Sequence, residues 1–141
     1  MMNEAIRIQN AIKKHEGELV KDAQKLVDGS NIFKSSDFEE SQLRNVLEVA
    51  NQTECVEVVE NFILYQIGRD TSGKKWKYRG FGKSLVDKIK SEKVYGNADK
   101  IVKELKRKDS KGNYDLDEVW LKLTRLYLGY LNRYFIYRKK G

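Results

Sequence analysis

The chain has 141 residues, enough for one domain, and its 40% hydrophobic composition supplies one modest core while 35% of its residues are charged. It has 28 Lys plus Arg against 21 Asp plus Glu, a net charge of +7, with a single cysteine, a single histidine and no proline. Cys55 has no partner for an intramolecular disulfide, and one Cys with one His, His15, cannot build a structural zinc site, so a disulfide scaffold and a zinc finger are excluded. The apolar stretches are no longer than Phe62 to Tyr65. A spanning helix needs roughly 20 residues, and the first residues show no apolar signal region, so the expectation is a soluble, cytoplasmic protein without membrane contact. About seven prolines would be average at this length. Their absence predicts an all-α fold.

From Asn3 to Asp28 the residues Ala5, Ile8, Ile12, His15, Leu19, Ala23 and Leu26 recur at spacings of three and four, the stripe of an amphipathic helix that Gly29 and Ser30 end. Gly17 predicts a bend within it. Ser36 and Glu39 have the form of a capping box before a stripe of Leu43, Val46, Leu47 and Ala50, with Arg44 on its flank. Thr53 is the expected cap of a third helix running to Asp70. It is apolar nearly all round, which predicts the central position, with Cys55 as a small core filler. Positions 71–82 read as a basic, glycine-punctuated, flexible loop facing solvent. Phe81, Leu85 and Ile89 open a fourth helix, broken near Gly96 and continued under an Asn97 cap through Ile101, Val102 and Leu105. Asp115 and Asp117 start the last helix, with a core stripe of Leu123, Leu126, Tyr127, Tyr130, Tyr134 and Tyr137, and with Lys122, Arg125, Gly129 and Arg133 on another face. The sum is a single domain over 1–141, a bundle of five or six helices.

Charge is segregated along the chain. Met1 to Gly68 carries 7 basic and 12 acidic residues, and Arg69 to Gly141 carries 21 basic and 9 acidic. That asymmetry points to a polyanion, nucleic acid before an acidic membrane surface. The loop is the most specific feature, because Lys74, Lys75, Lys77, Arg79 and Lys83 alternate with Trp76, Tyr78 and Phe81, pairing cations for phosphate with flat surfaces for unpaired bases. The competing reading is a solvated loop whose aromatics tuck into the core. Lys122, Arg125 and Arg133, with Arg138, Lys139 and Lys140, either extend the positive surface or suit a helix carboxy terminus.

Enzymatic patterns fail on chemistry. Gly82-Lys83-Ser84 has Lys77 where a P-loop needs glycine, and no strand precedes it. His15 sits on an apolar stripe without a nucleophile. Asp115, Asp117 and Glu118 suit the positive end of a helix dipole better than a cation. No cofactor and no metal is expected, nor catalysis.

Ser41-Gln42-Leu43-Arg44-Asn45, followed by Tyr65-Gln66-Ile67-Gly68-Arg69 and by an aromatic-rich helix over Leu121 to Tyr137, resembles the small helical subunit of type III-A CRISPR effector (Csm) complexes. The likeness covers most of the chain from Asp37 onward. The sequence departs from the family in having Phe62, Ile63 and Leu64 where a lysine commonly precedes the tyrosine, in lacking an acidic residue around Leu128 and Gly129, and in its enlarged Trp76 loop. The resemblance implies a non-catalytic subunit in antiviral defence. It would lie beside guide RNA and target RNA, touching neighbouring protein subunits of the effector complex and further copies of itself. Arg44 and Arg69 carry over as RNA contacts, and the acidic first half would face protein. Two other readings remain open, a free-standing helical RNA-binding module and a helical protein-interaction subunit with no nucleic-acid role.

Overall fold

The computed structural model describes residues 3–141, and among them every regular element is helical. The elements are α1 (Glu4–Lys13), α2 (Glu16–Ser30), α3 (Glu40–Gln52), α4 (Val56–Arg69), α5 (Phe81–Ile89), α6 (Asn97–Lys108) and α7 (Leu116–Lys140). Only Lys14 and His15 separate α1 from α2, so the chain forms a bundle of six helical units, the all-α architecture that the periodicity predicts. The interruption comes before Gly17, because the amides of Lys14 and His15 bond three residues back, to Ala11 and Ile12, and tighten the last turn of α1. The helix then ends one residue later than expected, on Asn31 in the left-handed region (φ 55°).

α7 is the axis of the bundle, and α2, α3 and α6 pack directly on it. Its buried set is Val119, Trp120, Leu121, Leu123, Thr124, Tyr127, Leu128, Gly129, Leu131 and Phe135. This corrects the tyrosine stripe: Tyr127 is buried, Tyr130 and Tyr134 are half-buried, and Tyr137 is 64% exposed. It also corrects the assignment of α4 as the central helix. α4 buries Val56, Val59, Glu60 and Ile63 and leaves Val58, Leu64 and Tyr65 about half exposed. Apolar content all round fitted a central position, but α4 lies at the surface, covered on one side by α3 and α5. Cys55 is likewise exposed, its thiol donating to Glu57 Oε1 at 3.0 Å.

Caps differ from expectation in detail. The box opening α3 is Glu39 with Gln42, three residues beyond Ser36. Thr53 closes α3 and accepts from the amide of Cys55, which caps α4. Asp115 caps α7 as predicted, accepting from the Asp117 amide at 3.0 Å. The break after α5 falls at Lys90 and Ser91, and one wide helical turn over Glu92–Gly96 leads into α6. Asn97 does not cap. It is buried and donates to the Lys93 carbonyl at 2.8 Å.

A buried polar pair ties α2 to α7. Tyr127, fully buried, donates to Asp22 Oδ1 at 2.8 Å, and Lys88 approaches Asp22 Oδ2 at 3.5 Å. Burial first, then the bond to Asp22, pushes the Tyr127 hydroxyl far above its ordinary titration range, so it stays protonated and donating. Tyr127→Phe removes that donor from a carboxylate that is itself nearly buried. The expected cost is about 1–3 kcal/mol, seen as a melting temperature lowered by about 4–10 °C with an unchanged helical circular dichroism spectrum.

Candidate nucleic-acid interface

The basic loop is built around one carboxylate. Asp70 follows the last residue of α4 and is 3% exposed. Its Oδ1 accepts from the Gly73 amide (3.0 Å) and the Ser72 hydroxyl (3.1 Å), and its Oδ2 accepts from the amides of Lys75 and Lys77 (both 2.9 Å). Burial pushes the carboxyl up, but the donors from Lys77, Lys75, Ser72 and Gly73 outweigh it and hold Asp70 below its ordinary value. With both oxygens occupied by protein donors, the carboxylate organises the loop.

The consequence is a strict division of side chains. Trp76 turns inward, 2% exposed, edge-on to Phe38 at 5.1 Å and beside Phe81 at 5.9 Å, while Phe38 also meets Phe135 of α7 at 5.4 Å. Trp76 and Phe81 are therefore core residues and Tyr78 is half-buried, which corrects the expectation of aromatics free for stacking and agrees with the competing reading in which they tuck into the core. The physical reason is the aromatic cluster under the loop, which gives these rings an apolar site. Gly82 allows the close approach: its amide donates to the Trp76 carbonyl at 2.8 Å, and a Cβ there would lie 2.6 Å from Ile67 Cγ1 and 2.9 Å from that carbonyl. Arg79 and Gly80 then turn the chain into α5 with φ of 50° and 70°.

The cations face outward. Lys74, Lys75, Lys77, Arg79 and Lys83 are all exposed, and none forms an ion pair among the described residues. Beside them lies a cleft of about 240 Å³ lined by Gln42 and Asn45 of α3, Phe62, Gln66 and Arg69 of α4, and Asp70, Lys75 and Trp76. The two short segments noted in the sequence thus meet in space. The guanidinium of Arg69 lies over the Tyr65 ring at 5.3 Å, paired with neither Glu57 nor Glu60. Arg44 is exposed on α3 outside the cleft lining, 3.9 Å from Glu40. Gln42, Asn45 and Gln66, which the expected site residues do not include, all stand in the two short segments quoted from the sequence. Their carboxamide chemistry was the available signal.

The remaining candidates lie elsewhere. Lys122, Arg125 and Arg133 line a groove of about 600 Å³ between α1, α3 and α7, as their common face predicts. Within it Arg125 is tied into the fold, since its Nε donates to the Ala50 carbonyl at 2.7 Å and its Nη2 to the Thr53 carbonyl at 2.9 Å, closing the end of α3. Arg133 sits over Tyr130 at 5.7 Å. The tail cations are engaged internally: Arg138 with Asp28 and over Phe33, Lys139 with the carbonyls of Ser35 and Phe38, and Lys140 with Glu40.

Comparison with known proteins gives no matching family model, no matching curated protein and no matching solved structure. Among the described residues no helix is long and apolar enough to cross a membrane.

Asp70→Asn tests the construction of the loop. Losing the charge that gathers four donors should cost about 2 kcal/mol near neutral pH. Because the folded carboxyl titrates below its unfolded value of about 3.9, its contribution is complete above that value and is lost as pH falls through the lowered folded one. The melting temperatures of wild type and variant should therefore differ at pH 6–7 and converge in acid.

Proposed function

We propose that this chain is a non-catalytic RNA-binding component of an RNA-guided assembly, of the kind to which the small subunits of type III CRISPR effector complexes belong. The observation that carries the reading is the row of five exposed, unpaired cations on a folded loop, placed beside a cleft where the two resembling segments meet. Unpaired cations on a fixed surface favour a polyanion, since each phosphate contact releases a condensed counterion. In RNA-guided recognition base pairing reads the sequence, and the protein supplies contacts to backbone and shape.

On this reading the contacts are Lys74, Lys75, Lys77, Arg79 and Lys83 of the loop, with Arg69 at the cleft and Arg44 on the adjoining helix. Arg69 is poised to fork onto a phosphate while its face rests on Tyr65. Arg125 drops out of the proposed set because its donors are spent on α3. Lys122 and Arg133 belong to a separate groove and contribute at most through the general field. The outer face of α4 serves protein neighbours, for it presents Val58 and Leu64 about half exposed beside the acidic Glu57. A pull-down from the native host should bring down a large assembly that contains RNA.

The purified protein should bind single-stranded RNA weakly. Neutralising four phosphates would give a log–log salt slope near −3, from about −0.7 per contact on a single strand. Replacing Lys75, Lys77 and Arg79 with Glu should flatten that slope, and Arg69→Lys should weaken retention by losing the planar fork. Arg79→Gly is a sharper variant: it removes the charge while relieving a left-handed backbone that costs a side-chain-bearing residue about 1 kcal/mol, so RNA retention should fall without a fall in melting temperature. Arg125→Lys should do the reverse, lowering the melting temperature and leaving the slope alone. Absence of RNA binding even at low salt would favour a protein-interaction role.

A further inference from the structure

We propose that the cleft between α3 and α4 receives a single unstacked nucleobase of the bound strand, held at its edge by the carboxamides of Asn45 and Gln66. This inference rests on the RNA-binding reading and adds a base-dependent contact to it.

The chemistry of the lining points to a base more than to a phosphate alone. Three carboxamide residues line it, Gln42, Asn45 and Gln66. The Gln42 Oε1 is committed to the Glu39 amide at 2.6 Å, which leaves its NH₂ as a donor. The side-chain amides of Asn45 and Gln66 make no hydrogen bond within the described residues, so each offers an adjacent donor and acceptor. A carboxamide presenting both is the side chain that pairs two-pronged with a base edge, adenine above all. A phosphate, which only accepts, would use just the donor half of each.

Size and polarity agree. At about 240 Å³ the cleft is smaller than the roughly 300–1,000 Å³ of drug-sized sites and fits one flat ring system. Phe62 adds an aromatic ring to the lining, and Arg69 and Lys75 add two cations for the flanking phosphates. The one acid in the lining, Asp70, has its oxygens occupied by four protein donors and so competes little for the base's own donors. The cations of the loop and the amides of the cleft would thus grip one nucleotide from two sides.

The test compares a short oligoadenylate with the same backbone made of abasic residues, using fluorescence anisotropy at fixed low salt, with adenosine monophosphate as a third ligand. Wild type should bind the abasic strand about tenfold more weakly, the scale of one buried and stacked base, and should bind the mononucleotide more weakly than the oligomer. Asn45→Ala with Gln66→Ala should bring the oligoadenylate down to the abasic level and leave abasic binding unchanged, whereas Lys75→Glu with Lys77→Glu should weaken both strands alike. Equal wild-type affinity for the two strands would overturn the base site and leave the RNA reading standing. Mononucleotide binding as tight as the oligomer would overturn it in favour of a free-nucleotide site. Failure of every strand to bind would remove the RNA reading and this inference together. The strand comparison on wild type decides the matter even if the double variant does not fold.

Discussion

The burial of α7 is the constraint to which the other elements answer. A helix of 25 residues with apolar side chains on several faces must be covered along its length, and α2, α3 and α6 do this directly. Covering it also buries polar groups, and three side chains of α7 find partners across an element boundary. Tyr127 reaches Asp22, the Trp120 indole donates to the Ile89 carbonyl at 2.9 Å, and Arg125 closes α3. These directional bonds set which helix lies where, a choice that hydrophobic burial alone leaves open.

The candidate interface follows from the same packing. Phe135 near the end of α7 meets Phe38, Phe38 meets Trp76, and Trp76 anchors the loop from below while Asp70 gathers its amides from within. With Trp76 fixed inward, its neighbours Lys75 and Lys77 are forced outward, so the alternation of aromatic and basic residues separates into an apolar side and a cationic side. Pinning the chain in this way lowers the conformational entropy that binding would otherwise have to remove. The cationic side of the loop is thus shaped by interactions entirely internal to the protein.

The legible parts of the sequence were those governed by local rules. The stripe of α2, the Asp115 cap and the common face of Lys122, Arg125 and Arg133 all depend on spacing within one helix. What escaped depends on contacts between distant segments. Periodicity showed that α4 was apolar but could not show that Val58 and Leu64 face outward, because a bundle can be closed around either α4 or α7. Asp70 gave no signal, since its partners are main-chain amides whose positions only the fold determines. Trp76 read as free for stacking because an aromatic among lysines has the same sequence pattern whether it turns out or in. The gathering of Gln42, Asn45 and Gln66 required the pairing of α3 with α4, although the two segments that carry them stood out in the chain.

The central claim is that the loop between α4 and α5, with its adjoining cleft, is the surface that meets RNA. Ultraviolet crosslinking of the intact protein to single-stranded RNA, with the modified residues located by mass spectrometry, tests it most directly. Crosslinks should fall within residues 62–83 and on the facing residues of α3. Crosslinks confined to the groove between α1 and α7, or none at all, would contradict it.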